Sequence, residues 1–242
     1  MSGAGSSRIG CAGILFDLDG VLVHSAAPVR RSWARWAAER GLPERTVLEA
    51  AHGRRTIDTV RALAPELDAG AEAVRLEAEQ SEDTAGVIAG AGAAALVASL
   101  PPWSWAVVTS GTRKLALARL AAAGLAACGL PPAAGLICAE DVTEGKPSPE
   151  GYLLGAGRLG LRPDTCVVFE DAAAGIEAGH AAGMTVIGVA GRQPPGDLAS
   201  ADLVVRELTE VRVSQEPSGR LVIGFGLPAP AGGHGPAAGV PR

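Results

Sequence analysis

Aromatic residues are scarce in this chain: four tryptophans, three phenylalanines and one tyrosine in 242 residues. With almost half the residues hydrophobic, the core must be built from alanine, valine and leucine. The four cysteines, Cys11, Cys128, Cys138 and Cys166, show no CxxC spacing and lie in apolar contexts. That argues for buried reduced thiols and against zinc or a disulfide framework. There is no basic block, and the formal net charge is -5, which argues against nucleic acid as a partner. No stretch reaches the length of a membrane span without Gly, Pro or charge interrupting it, and the N-terminus lacks the apolar run of a signal peptide. A cytoplasmic monomer is the expectation. No GxGxxG follows the first apolar run, so a dinucleotide-binding fingerprint is missing. No internal repeat is evident.

What is present is organised around Ile14-Leu15-Phe16-Asp17-Leu18-Asp19-Gly20-Val21-Leu22-Val23. The apolar run reads as the end of a buried parallel strand. It delivers Asp17 and Asp19 to the strand's carboxyl edge, with Leu18 turned to the opposite side. Two carboxylates this close repel one another, and a core does not hold them without a cation or a proton between them. Gly20 permits a sharp turn away from the strand.

Around this run the pattern is ordered. Residues 1–8 are Gly/Ser-rich and read as disordered, and a strand is predicted over 10–16. Helical periodicity follows at 26–40, 43–51, 56–63 and 69–84, with no strand signal between 24 and 85. After Gly90 helices alternate with short apolar runs at 105–108, 135–138, 166–169, 184–189 and 203–205. Such alternation implies βαβ units and a parallel sheet. The fold class is therefore α/β, with a Rossmann-like parallel-sheet core over 1–23 and 86–210 and an inserted helical unit over 24–85. Residues 211–242 form a C-terminal extension expected to be largely disordered, with a possible hairpin at 211–225 around Pro217-Ser218-Gly219.

Polar residues follow directly on three of the strand ends, where open α/β sheets bind ligands. Asp17 and Asp19 end the first. Thr109-Ser110-Gly111 offers a hydroxyl and backbone amides opening a helix, which suits an anion. Glu170-Asp171 adds two carboxylates. Gly145-Lys146-Pro147 supplies a cation in a rigid loop. As a set these are a nucleophile, an acid/base, ligands for phosphate oxygens and a hard-cation site.

With these residues in place, the chain resembles the haloacid dehalogenase superfamily over roughly residues 10–207. Residues 16–23 resemble its first motif, Val107 to Gly111 the second, Gly145-Lys146-Pro147 the third and Phe169 to Ile176 the fourth. Within it, the likeness is to small sugar-phosphate phosphatases of the 2-deoxyglucose-6-phosphate and glycerol-phosphate type. The resemblance implies that Asp17 attacks phosphorus and becomes an aspartyl-phosphate. Asp19 then protonates the leaving alcohol and later activates water. Mg²⁺ is implied as cofactor, held by Asp17, the backbone carbonyl of Asp19 and Asp171, with Glu170 a ligand or close neighbour. Thr109 and Ser110 would hold the phosphoryl group, and Lys146 would neutralise charge beside Asp17. The inserted helices would be a C1-type cap, with His52, Arg54 and Arg55 as candidate specificity residues. Arg54 and Arg55 are read equally well as solvated charges at a helix start, and Trp33 and Trp36 as the cap's own core. His24 departs from the family pattern, in which many relatives carry Asp.

The implied partner is a small phosphorylated metabolite. Two alternatives stay open: a β-phosphoglucomutase-like phosphotransferase, against which stands the lack of a histidine between Ala26 and Arg35, and a non-catalytic sugar-phosphate-binding pseudophosphatase.

Overall fold

The computed structural model describes residues 8–128, 135–191 and 198–226; the reading of 1–7 and 227–242 as disordered concerns residues outside these. The architecture is set by β2 (Gly13–Phe16), in which all four residues are buried. A strand covered on both faces has no polar side to present, which is why it reads as a continuous apolar run. It lies in the middle of a six-stranded sheet between β5 (Trp105–Val108) and β7 (Cys166–Glu170). The sheet is completed by β6 (Leu136–Ile137), β8 (Thr185–Val189) and β9 (Leu203–Val205) in the order β6-β5-β2-β7-β8-β9, every pair parallel. Phe16 stacks on Phe169 at 5.2 Å and meets Trp105 edge-on at 6.2 Å, so three of the eight aromatic residues lie where the three central strands meet. Helices α5 (Ala93–Ala98), α6 (Arg113–Ala122), α7 (Glu150–Arg158) and α8 (Ala173–Ala181) connect the strands. Parallel neighbours need such crossovers, and they place the carboxyl ends of β2, β5 and β7 side by side.

The predicted strand over 10–16 is in fact two. β1 (Arg8–Cys11) leaves the central sheet, and Ala12 turns its N–H to the carbonyl of Thr165 at 2.7 Å. β1 pairs antiparallel with β11 (Leu221–Phe225), which pairs in turn with β10 (Val211–Gln215). The extension beyond residue 210, expected to be largely disordered, therefore carries the hairpin at 211–225, which supplies two strands of a three-stranded sheet. A two-stranded ribbon of β3 (Val23–His24) and β4 (Ile88–Ala89) also escaped the periodicity, since two residues carry no period.

That ribbon brackets α1 (Ala26–Glu39), α2 (Glu44–Ala51), α3 (Thr56–Leu63) and α4 (Ala69–Glu82). These helices have an apolar cluster of their own, built on Trp33, Trp36, Val47, Val60 and Leu76. The tryptophans meet edge to face at 5.4 Å, and the Trp36 indole donates to Glu72 at 2.9 Å, the hydrogen bond a buried indole requires. Both are core residues of the insert. Cys11, Cys138 and Cys166 are buried free thiols; burial pushes them up to about 12, 12 and 11, so they stay protonated. Among the described residues no helix is long and apolar enough to cross a membrane.

Candidate active site

Asp17 follows β2 directly, its N–H donating to the Phe169 carbonyl at 2.9 Å. The residue is only 6% exposed, and its carboxylate accepts from the Nζ of Lys146. Lys146 comes from the loop before α7, where its bond to Pro147 is cis. Its ammonium also donates to Glu170 Oε1 at 2.6 Å and to the Val108 carbonyl at 3.2 Å, so all three protons are used. Glu170 is fully buried. Its Oε1 takes a second bond from the Tyr152 hydroxyl at 2.6 Å, and its Oε2 accepts from the backbone N–H groups of Asp171 and Ala172 at 3.0 and 3.3 Å.

Asp171 completes the group: ligand oxygens of Asp17, Glu170 and Asp171 all lie within 4.8 Å of one another. Three buried carboxylates face one ammonium. Burial pushes the Asp17 carboxyl well above the usual carboxylate range, against the pull of Lys146 and with the push of Glu170, Asp171 and Asp19. Asp171 is likewise raised, burial leading and the nearby His52 opposing it. For Lys146 burial works downward, but Asp17 and Glu170 outweigh it and the ammonium is held above its ordinary range. An all-oxygen donor set with surplus negative charge fits a hard divalent cation.

This surplus has a measurable sign. A carboxyl that binds its proton more tightly in the folded than in the unfolded chain makes the fold lose stability as pH rises between the two affinities. In EDTA, the melting temperature is therefore expected to climb as pH is lowered from neutrality towards the ordinary carboxylate range, about 4. Glu72, Asp83, Asp141, Glu150 and Asp202, whose carboxyls are held below their ordinary values, act in the opposite direction only below about pH 4. Thermal melting monitored by circular dichroism checks this; a flat profile over that window would contradict it.

Two backbone positions admit no side chain here. Gly20 has φ +89°, and a Cβ on it would stand 1.7 Å from Asp171 Oδ2. A Cβ on Gly175 would stand 1.8 Å from Glu170 Oε1.

Asp19 is held apart from this cluster. Its Oδ1 accepts from the Ser25 hydroxyl at 2.5 Å and its Oδ2 from Arg119 of α6 at 2.6 Å. Thr109 is buried at the end of β5, its Oγ1 accepting the Gly111 N–H at 3.1 Å. The Ser110 hydroxyl donates to the Gly53 carbonyl of the insert at 2.9 Å. His52, next in the insert, stands 3.4 Å from Asp171 Oδ2. Arg54 is exposed. Arg55 is not a solvated charge: it pairs with Asp58 at 2.7 Å and donates to the Val142 and Thr143 carbonyls at 3.3 and 3.0 Å. It thereby clasps the insert to the loop that carries Lys146.

The structure brings Asp17, Lys146, Glu170 and Asp171 into contact, with Thr109, Ser110 and His52 at their margin. Two functional neighbours went unread in the sequence. Tyr152, the single tyrosine, needs a partner for its hydroxyl wherever it is buried. Arg119 interrupts the buried face of α6 formed by Leu115, Ala116 and Leu120, a cation at an apolar position.

A family model for haloacid dehalogenase-like hydrolases matches residues 11–183. Hexitol phosphatase A of Escherichia coli K12 is 43% identical over 218 residues, covering 88% of this chain and 99% of that protein. The 2-deoxyglucose-6-phosphate phosphatase 1 of Saccharomyces cerevisiae is 33% identical, covering 86% of this chain and 93% of its own. Among solved structures, a hydrolase from Pseudomonas syringae superposes with a TM-score of 0.68 at 25% identity, over 80% of this chain and 92% of that one.

Proposed function

The chain belongs to the haloacid dehalogenase-like hydrolases, and from that premise we propose that it is a Mg²⁺-dependent phosphatase of small sugar or polyol monophosphates. The observation that carries this reading is a pair of carboxylates two residues apart in opposite environments. Asp17 is sunk among acids and gripped by Lys146, while Asp19 is a separate, partly exposed group with its own donors. Such divergence divides the work between nucleophile and acid/base.

In the reaction, an Asp17 oxygen attacks phosphorus as the bond from phosphorus to the sugar oxygen breaks. Asp19 delivers its proton to that oxygen, and the sugar leaves as an alcohol. Asp19 then takes a proton from water, whose oxygen attacks the aspartyl-phosphate. The bond from phosphorus to Asp17 breaks, and inorganic phosphate departs. Thr109 and the Ser110 amide steady the phosphoryl oxygens, and Lys146 spreads the charge between them and Asp17. Asp17, Asp171 and the Asp19 carbonyl would hold Mg²⁺, which supplies further neutralisation of the phosphate. Glu170, with both oxygens engaged by donors from the protein, acts from behind by fixing Lys146.

The helical insert serves as a cap that excludes water and selects the leaving group. His52 and Arg54 are its candidate selectors, and Arg55 fastens it. The sugar-phosphate class is supported by the hexitol phosphatase and 2-deoxyglucose-6-phosphate phosphatase relatives. α1 contains no histidine, which disfavours the mutase reading.

The test is phosphate release from 2-deoxyglucose 6-phosphate, mannitol 1-phosphate, fructose 1-phosphate and glycerol phosphate, with Mg²⁺ and with EDTA. Turnover that depends on the metal and ranks these esters supports the reading. Activity confined to interconverting glucose phosphates sinks it.

A further inference from the structure

Arg119 is the least expected residue near the site. It comes from α6, lies 5% exposed, and stands 100 residues from Asp19 in sequence. A buried guanidinium is poor value for stability alone, because a well-packed apolar residue serves as well or better. Its Nη1 donates to Asp19 Oδ2 at 2.6 Å and its Nη2 to Gln80 Oε1 at 2.8 Å; among the described residues its buried Nε finds no partner. Gln80 is itself buried, on α4 of the helical insert, and its amide donates to Ser32 Oγ of α1 at 3.4 Å. Ser25, the residue before α1, donates to the other oxygen of Asp19. One turn from Gln80, the buried Glu77 accepts the N–H of Thr112, just before α6, at 2.9 Å. The seat of α4 on α6 is thus partly polar, and it ends on the acid/base carboxylate.

We propose that Arg119 is a positioning residue: it fixes the orientation of the Asp19 carboxylate, and through Gln80 it makes that orientation depend on the helical insert being seated. With α4 in place, the guanidinium is spanned between two acceptors, and the carboxylate is held by one donor on each oxygen. A second lone-pair site on each oxygen stays open to carry the proton that passes to the leaving group. With α4 lifted, Gln80 leaves with the insert and Arg119 loses the partner that sets its own angle. Proton delivery is thereby reserved for an enclosed substrate. The inference rests on the phosphatase reading above.

The measurement compares kcat/KM on an alkyl ester, mannitol 1-phosphate, with that on p-nitrophenyl phosphate, whose phenolate departs without a proton. Arg119→Met is expected to lower kcat/KM on the sugar ester by about 10²-fold, the scale of a general acid's contribution, and on the aryl ester by less than about threefold. Gln80→Leu, which leaves the Arg119–Asp19 pair in place, should shift the same ratio by roughly tenfold. The double variant should fall no further than Arg119→Met, because the two act through one network. Arg119→Lys should lie between. If Arg119→Met does not fold, Gln80→Leu and Arg119→Lys carry the ratio on their own. Equal losses on both esters, or an unchanged ratio in folded variants, overturn the proposal while the phosphatase reading stands. No turnover of either ester by the unaltered protein overturns that reading, and this proposal with it.

Discussion

Asp17→Asn is expected to remove phosphate release altogether, a loss of at least about 10⁴-fold of the kind seen when an enzyme's nucleophile is deleted. In EDTA the same variant is expected to melt at a higher temperature than the unaltered protein. The two effects have one cause. Asp17 lies in a pocket where burial and the charges of Glu170, Asp171 and Asp19 together raise its affinity for a proton, even with Lys146 beside it. The ionised form therefore fits the fold less well than it fits water. Asparagine has the same shape and carries no charge, and Lys146 keeps Glu170 and the Val108 carbonyl as partners. A bound divalent cation would offset the cost of the carboxylate, as a proton does. Mg²⁺ should accordingly raise the melting temperature of the unaltered protein and shift the Asn variant much less. Calorimetry with and without Mg²⁺ measures both. A variant that melts lower in EDTA would show that Asp17 is held by favourable contacts, contrary to this account.

Lys146→Met is the second large expectation, and it runs the other way. Deleting the ammonium leaves three carboxylates within 4.8 Å of one another with no protein cation between them. Breaking a buried ion pair from one side costs about 3–5 kcal/mol. For a chain of this size that corresponds to a fall in melting temperature of roughly 6–20 °C. Activity should drop by about 10²- to 10³-fold, the scale of one lost charge-stabilising donor. The control is Tyr152→Phe, which removes only one of the two donors on Glu170 Oε1 and should cost about 1–2 kcal/mol. Acidification should narrow the gap between Lys146→Met and the unaltered protein, because protonating a carboxyl relieves the same repulsion. If Lys146→Met and Tyr152→Phe destabilised equally, the ammonium would not be the charge that holds the acids together.

Much of this centre is legible in the sequence for a simple reason. Asp17, Thr109 and Glu170 each follow a short buried run, and parallel strands with short loops bring such positions to one edge whatever the helices between them do. The helical insert was equally readable, since Trp33 and Trp36 fall on one face. What escaped reading depends on partners far away in the chain. β1 looks continuous with β2 until Leu221–Phe225 claims it, a pairing across more than 200 residues that leaves no local trace. α4 is a helix of alternating glutamate and alanine whose pattern does not single out Glu77 and Gln80, yet both turn inward, to Thr112 and Arg119. Arg55 looked like a ligand or a surface charge; its guanidinium instead meets two carbonyls almost 90 residues on.

The antiparallel pairing of Arg8 with Gly224 bears on the order in which the protein is encoded. Residues 8 and 224 are neighbours across one strand spacing, about 5 Å. A short linker could join them, and new termini could be opened at Gly41, where a side chain would meet nothing within 4 Å. Such a circular permutant would begin inside the helical insert and still bring β2, β5 and β7 to the same edge. The pocket depends on which strands lie side by side, and the sequence in which a ribosome makes them is incidental to it.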